Sequence, residues 1–267
     1  MKGTWITILI LYLAIPCLAQ QDSLQLVKII KGDIVDFTVD NLGNVYTLSR
    51  SNQLKKLNAN GDSTGVFNDV RQYGRVASID AGNPLKLLLF YKDFGTIVVL
   101  DRFLNVRNTI NLRNRNIFMA RAISQSYDNG IWVYDEQEAR LKRMNDEGEI
   151  IDQSGDFRLF MEAAPSPVQI VDHDRIVYLY DPEKGVFMFD YFGSLRNKVA
   201  LLGWQDFQVV DGKVFGRKQT IIEQYQPGSL SLKVKALDRY LAGVTRIKIS
   251  VTQLYCLKDG EIKVYAF

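Results

Sequence analysis

The chain has 267 residues, of which 47% are hydrophobic and 24% charged, with 33 Lys and Arg against 30 Asp and Glu. So small an imbalance excludes strong nonspecific attraction to nucleic acid or to an anionic membrane surface, and the length is ample for a large core. The single histidine, His173, excludes a histidine-rich zinc site and any acid–base pair built from two histidines.

Lys2 precedes an apolar stretch from Trp5 to Ala14, which Pro16 breaks ahead of Cys17-Leu18-Ala19. A basic start, about 10 apolar residues and a small residue at the break predict a secretory signal peptide over residues 1–19, cleaved after Ala19. The apolar run falls short of the ~20 residues that span a bilayer. Residues 20–267 then form a single domain whose one cysteine, Cys256, lies between Tyr255 and Leu257 and is expected to be a buried, inert thiol. An exported chain without a disulfide points to a bacterial envelope, in the periplasm or at the outer-membrane periphery of a Gram-negative cell.

Residues 34–67 contain four short apolar runs separated by turn signals. Val35–Val39 leads into Asp40-Asn41-Leu42-Gly43-Asn44, followed by Val45–Leu48. Leu54 and Leu57 alternate with Lys55 and Lys56 up to Asn58-Ala59-Asn60-Gly61, and Val66-Phe67 belongs to a fourth run. Such a pattern predicts a four-stranded antiparallel meander. It recurs. A second unit spans residues 75–112, with the dense apolar run Leu85–Tyr91. The third passes from Tyr127-Asp128-Asn129-Gly130 into Ile131–Tyr134, and from Arg140–Met144 into Asn145-Asp146-Glu147-Gly148. The fourth holds Ile176–Tyr180 and Gly185–Phe189. The fifth holds Phe207–Val210, Val214-Phe215, Thr220–Tyr225 and Leu230–Val234. The sixth holds Val244–Val251, Leu254–Leu257 and Ile262–Tyr265, and stops one strand short.

Ser23–Ile30 is an apolar-rich segment standing ahead of the first complete unit, with no partner of its own. If the units close into a ring, it supplies the missing outer strand of the sixth. The expected fold is therefore all-β, a six-bladed β-propeller of four-stranded antiparallel blades whose last blade is closed by the N-terminal strand. At about 39 residues per unit the spacing lies near the ~40–50 typical of blade repeats. The second strand of each unit, such as Leu87–Phe90 or Ile131–Tyr134, is continuously apolar, as expected of a strand buried on both faces between neighbouring blades.

Asp40–Tyr46 with Gln53–Gly61, and Asp128–Gly148, resemble NHL-type propeller repeats: an Asp-x-x-Gly-Asn-like turn enters a Val-Tyr-type strand, and an Asn-x-x-Gly turn follows a polar–apolar strand. The other units are degenerate. The resemblance implies a propeller over nearly the whole of residues 20–267 and implies no particular activity. The leader followed by Gln20-Gln21-Asp22 resembles exported proteins of the Bacteroidota. In that group propellers accompany outer-membrane assembly and export machines, including the type IX secretion system.

The residues offer little chemistry. His173, in Asp172-His173-Asp174, suits a polar turn better than a metal or calcium site. No Gly-x-Ser-x-Gly elbow accompanies it. Asp33, Asp36, Asp80 and Asp206 are candidates to project into the central channel, where paired carboxylates act as acid and base or bind a cation. Solvated channel-lining groups are the simpler expectation. No catalytic, cofactor or metal residue is assigned.

The interface candidates are Arg113, Arg115, Phe118 and Met119, in an Arg-rich link between the second and third units, where a solvated rim is the alternative, and Phe160 and Met161, in the longer link Phe157–Pro167, where capping of the core is an equal reading. The expected function is a non-enzymatic binding platform with protein partners in the cell envelope, as a monomeric ring within a larger complex, with no nucleic acid and no cofactor. The alternative is a propeller hydrolase or lyase using channel carboxylates, with or without a divalent cation.

Overall fold

The computed structural model describes residues 24–68, 73–229 and 231–267. The signal-peptide expectation over residues 1–19, including Cys17, falls outside them, as do Ser23 and Leu230.

Six four-stranded antiparallel sheets make up the fold. Blade 1 runs through Ile34–Val39, Val45–Ser49, Leu54–Leu57 and Ser63–Phe67. Blade 2 follows with Ser78–Asn83, Lys86–Tyr91, Thr96–Asp101 and Val106–Asn111. Blade 3 has Ala120–Gln125, Ile131–Asp135, Arg140–Met144 and Ile150–Gln153, and blade 4 has Gln169–His173, Ile176–Asp181, Gly185–Phe189 and Leu195–Val199. Blade 5 is built from Gln205–Val210, Lys213–Lys218, Ile221–Tyr225 and Leu232–Ala236, its fourth strand two residues later than the apolar pattern suggests. Blade 6 has Arg246–Ile249, Gln253–Lys258 and Glu261–Ala266.

The fourth strand of blade 6 is Gln25–Ile30, which pairs antiparallel with Glu261–Ala266 from Ile30 opposite Ile262 to Gln25 opposite Ala266. The first strand of each blade packs against the first strand of the next, and blade 6 returns to blade 1. The ring is closed by joining both ends of the chain in one sheet, which leaves no unpaired seam.

The second strands explain the apolar runs. Leu87, Leu88, Leu89, Phe90 and Tyr91 are all buried, as are Ile131, Trp132, Val133 and Tyr134. Alternate residues serve different interfaces. Leu87, Leu89 and Tyr91 pack with Tyr46, Leu48 and Leu54 of blade 1, whereas Leu88 and Phe90 pack with Ile123, Ile131 and Val133 of blade 3. Each such side chain contributes about 1.5–3 kcal/mol by leaving water. The core is thus a set of wedges between blades, with no single central cluster. Cys256 is buried in the wedge between blades 5 and 6, and burial pushes its thiol up to about 12.

One turn device recurs. In Asp40–Asn44, Asn58–Asp62, Asp101–Asn105, Asn145–Glu149 and Asp190–Ser194 the first residue exchanges backbone hydrogen bonds with the fifth and fourth. Its side-chain oxygen also accepts the backbone N–H of the fifth, at 2.8–2.9 Å in each. An Asp or Asn at the first position therefore replaces a turn hydrogen bond that water would otherwise supply. The fourth position is left-handed, with φ of 77° at Gly43, 97° at Gly61, 79° at Gly148 and 79° at Gly193. Leu104 occupies that position in blade 2, with φ of 68°. It is 4% exposed and packed in the wedge between blades 1 and 2, so burial offsets the strain of a Cβ in that region.

Candidate functional site

Alternate connections of a meander lie at opposite ends of its sheet. One face of the ring therefore carries the links between blades and the turns joining second to third strands; we term it the link face. The other carries the first-to-second and third-to-fourth turns. An axial channel of about 1110 Å³ runs between them, from Ala77, Lys92, Arg121 and Val168 at the link face to Asn41, Asn129, Asp211 and Thr252 at the opposite mouth.

The channel carboxylates do not converge. Asp33 is exposed in the short connection before Ile34–Val39, not on a channel-lining strand as the sequence suggests, because the first strand begins one residue later. Asp36 accepts two hydrogen bonds from Arg246, 2.7 Å from Nε and 2.6 Å from Nη2. Asp206 is withdrawn from solvent and accepts from Arg217 Nε at 2.7 Å, both side chains being 3–4% exposed. Arg217 also donates to the carbonyls of Gln219, Val244 and Thr245. Asp80 accepts from Ser124 Oγ, from the backbone N–H of Gln125 and Gly82, and from Gln125 Nε2. Asp36 and Asp206 both neighbour Arg246, which lies 3.9 Å from Asp206, but the two are tied to different main partners, and no two of the acids face each other as a paired acid and base.

The Asp172-His173-Asp174 segment separates in the same way. Asp172 accepts from Trp132 Nε1 at 2.7 Å, from the backbone N–H of Tyr127 and from Tyr191 Oη at 2.9 Å. Burial pushes its carboxyl up, and these three donors oppose the shift. Tyr127 and Tyr191 stack with ring centroids 4.0 Å apart. Asp172 is therefore a clamp between blades 3 and 4. His173 Nε2 accepts the backbone N–H of Gly212 at 3.1 Å, which ties blade 4 to blade 5, and lies 3.2 Å from Asp174 Oδ2. Asp174 and Arg175 form a tight turn with φ of 49° and 67°. No group of three or more His, Cys, Asp or Glu side chains is arranged to hold a metal ion among the described residues.

Sequence reasoning weighed the channel acids and missed its bases. Arg246 and Lys248 were legible as charges at alternate positions of an apolar strand, Arg246-Ile247-Lys248-Ile249: a period of two puts both cations on one side of an inner strand.

The interface candidates lie on or near the link face. Arg113 and Arg115 form a single 3₁₀ turn, Arg113–Arg115; Arg113 donates to the Asp93 carbonyl at 3.2 Å, and Arg115 reaches along the rim to the Glu147 carbonyl at 2.8 Å. Phe118 and Met119 are 58% and 51% exposed, and Phe160 is 52% exposed. Met161 is half-buried against the wedge between blades 3 and 4, and so is partly spent on the core. Phe94, Leu159, Val168 and Leu202 add exposed apolar surface on the same face. Within the link face this enrichment falls on blades 2–4: the turns of blades 5, 6 and 1 present Gln219 and Thr220, Asp259 and Gly260, and Arg50 to Gln53. The opposite face also exposes apolar side chains, at Leu42, Leu85, Phe103, Tyr127, Phe192 and Val251.

No family model matches the sequence, and none of the curated proteins is similar to it. Solved structures share the architecture. Virginiamycin B lyase from Staphylococcus aureus is 13% identical with a TM-score of 0.61, over 88% of this chain and 80% of that one. BamB from Moraxella catarrhalis is 12% identical with a TM-score of 0.52, over 92% and 98%. A chain of a mitotic checkpoint complex is 9% identical with a TM-score of 0.56, over 100% and 99%. At such identities the likeness shows the fold alone. An enzyme and a subunit of a complex both appear, so the fold does not choose between them.

Proposed function

We propose that this propeller is a non-enzymatic protein-interaction platform, and that it binds through the link face of blades 2–4. The observation that carries the reading is that Phe94, Phe118, Met119, Leu159 and Phe160 are all exposed in the link-face turns and links of blades 2–4. Large apolar side chains grouped on one sector of a rigid scaffold are what interface cores are made of, and Arg113 and Arg115 supply the charged rim. The propeller chain of a mitotic checkpoint complex shows that such a ring fits into a multiprotein assembly. A channel-carboxylate hydrolase or lyase has less support, since Asp36, Asp80 and Asp206 are each engaged by donors and no two of them face each other as an acid–base pair.

The finer reading is an exported, NHL-like propeller of Bacteroidota type, monomeric as a ring, in the periplasm or at the outer-membrane periphery. There it serves as an accessory subunit of an outer-membrane assembly or export machine of type IX kind. The leader-like N-terminus and the absence of a disulfide support this placement. No helix among the described residues is long and apolar enough to cross a membrane.

The test is capture from native envelopes after crosslinking, with wild type, a Phe118→Ser/Phe160→Ser double variant and a Leu42→Ser control on the opposite face. The expected result is a stoichiometric partner lost only in the double variant. Absence of such a partner, or its equal retention by all three, overturns the reading.

A further inference from the structure

The charges lining the channel are unequally satisfied. Asp40 accepts from the backbone N–H of Leu42 and Asn44, from Asn44 Nδ2 and from Tyr46 Oη. Asp36, Asp80 and Asp172 have the donors described above, and Asp211 faces Lys213 at 3.6 Å. Among the inner strands Lys248 differs. It stands on the inner strand of blade 6, two residues beyond Arg246, and lines the channel. It has no hydrogen bond and no carboxylate within ion-pair distance among the described residues, while its strand neighbour Arg246 is bound to Asp36. Lys248 is half-buried, and it lines the channel. Burial, and then the nearby Arg246 charge, lower its pKa, while the more distant Asp36, Asp206 and Asp80 carboxylates oppose the shift.

At the link-face mouth Lys92 and Arg121 lie close enough for Arg121, after burial, to lower the Lys92 pKa. The carboxylate nearest Arg121 is Glu136, 3.8 Å from Nε, and it also accepts the hydroxyl of Ser166. The link-face approach thus carries two cations, with Glu136 and Asp93 beside them, and the interior presents one cation, Lys248, without a direct ion pair. A half-buried ammonium without a direct partner gains from an anion that supplies one, and a channel of this volume admits a small organic ligand with its water.

We propose that the axial channel binds an anionic group, a carboxylate or a phosphate, on the Lys248 ammonium, with Lys92 and Arg121 drawing it in from the link face. The group arrives either on a small free anion or on an acidic side chain inserted into the channel; the charge and the hydrogen-bond acceptors are the same. This inference concerns the channel and stands apart from the apolar patch, so either can fail without the other.

Citrate and inorganic phosphate, titrated calorimetrically into the full chain against chloride at matched ionic strength, provide the test. The expected result is one anion bound per chain, with affinity about tenfold weaker or worse in Lys248→Met, the loss expected of a charge-assisted hydrogen bond. Lys248→Arg is expected to keep binding, and Lys233→Met, on the outer strand of blade 5, to leave it unchanged. Should Lys248→Met fail to fold, the selective rise in wild-type melting temperature with citrate over chloride, retained by Lys248→Arg, carries the test. Displacement of citrate by an Asp/Glu-rich peptide identifies the inserted side chain as the source, and lack of displacement identifies the free anion. No binding by wild type, or equal weakening in Lys248→Met and Lys233→Met, overturns the proposal.

Discussion

Arg246 grips Asp36 with two hydrogen bonds of 2.7 and 2.6 Å, joining the inner strand of blade 6 to that of blade 1 across 210 positions of sequence. This pair ties the ring at its inner edge, as Gln25–Ile30 ties it at its outer edge. Behind it, Asp206 ties the inner strand of blade 5 to Arg217 of its second strand and lies 3.9 Å from Arg246.

The two arginines differ in cost. Arg217→Met leaves the Asp206 carboxylate, 3% exposed, without its main partner, and is expected to destabilise the fold by about 3–5 kcal/mol. Arg246→Met leaves the more accessible Asp36, and 40% of the Arg246 side chain is itself exposed, so solvent screening reduces its cost to about 1 kcal/mol. Urea unfolding of both variants checks the order. A larger loss in Arg246→Met contradicts this account.

Deleting residues 25–30 removes the outer strand of blade 6 and bares the edge of Glu261–Ala266. It also takes Ile30 from the wedge shared with Ile34, Leu257 and Ile262. The truncated chain is expected to aggregate, because an exposed apolar strand edge recruits other chains. Light scattering during refolding measures this, and supplying the segment as a separate peptide is expected to suppress it.

Leu104 predicts an inversion of the usual ranking. Leu104→Ala loses buried volume and keeps a Cβ at φ 68°, whereas Leu104→Gly loses slightly more volume but relieves about 1 kcal/mol of left-handed strain. Both variants are destabilised by about 2–4 kcal/mol, with the glycine variant the more stable of the two in thermal melts. In an ordinary strand the alanine would win.

Lys248 has a stability consequence even without a ligand. Its folded-state pKa is lowered from the ordinary 10.5, so the folded state binds that proton less tightly than the unfolded one. The group therefore costs stability at pH values below its folded pKa, and the cost is relieved as pH rises from the folded pKa towards 10.5. Lys248→Met is expected to raise the melting temperature at pH 7, with the gain shrinking between the two pKa values. Melts taken from pH 7 to 10 read this directly. A variant less stable than wild type at pH 7 would show that Lys248 is paired.

The blades were legible because their signals are local. Asp40-Asn41-Leu42-Gly43-Asn44 specifies its own turn through one carboxylate, and Leu87–Phe90 announces burial on both faces by lacking any polar alternation. Ser23–Ile30 could be assigned to blade 6 because the sixth unit was short of a strand.

The channel was another matter. Asp36, Asp80 and Asp206 have the same side chain and similar strand positions, yet they meet Arg246, Gln125 with Ser124, and Arg217 respectively. The sequence by itself determined six meanders, their closure and the apolar links that now share one face. Only the tertiary structure decided which charges cancel, because each partner comes from a different strand, and two of the three from a neighbouring blade. That pairing leaves Lys248 without a direct ion pair on the inner strand of blade 6.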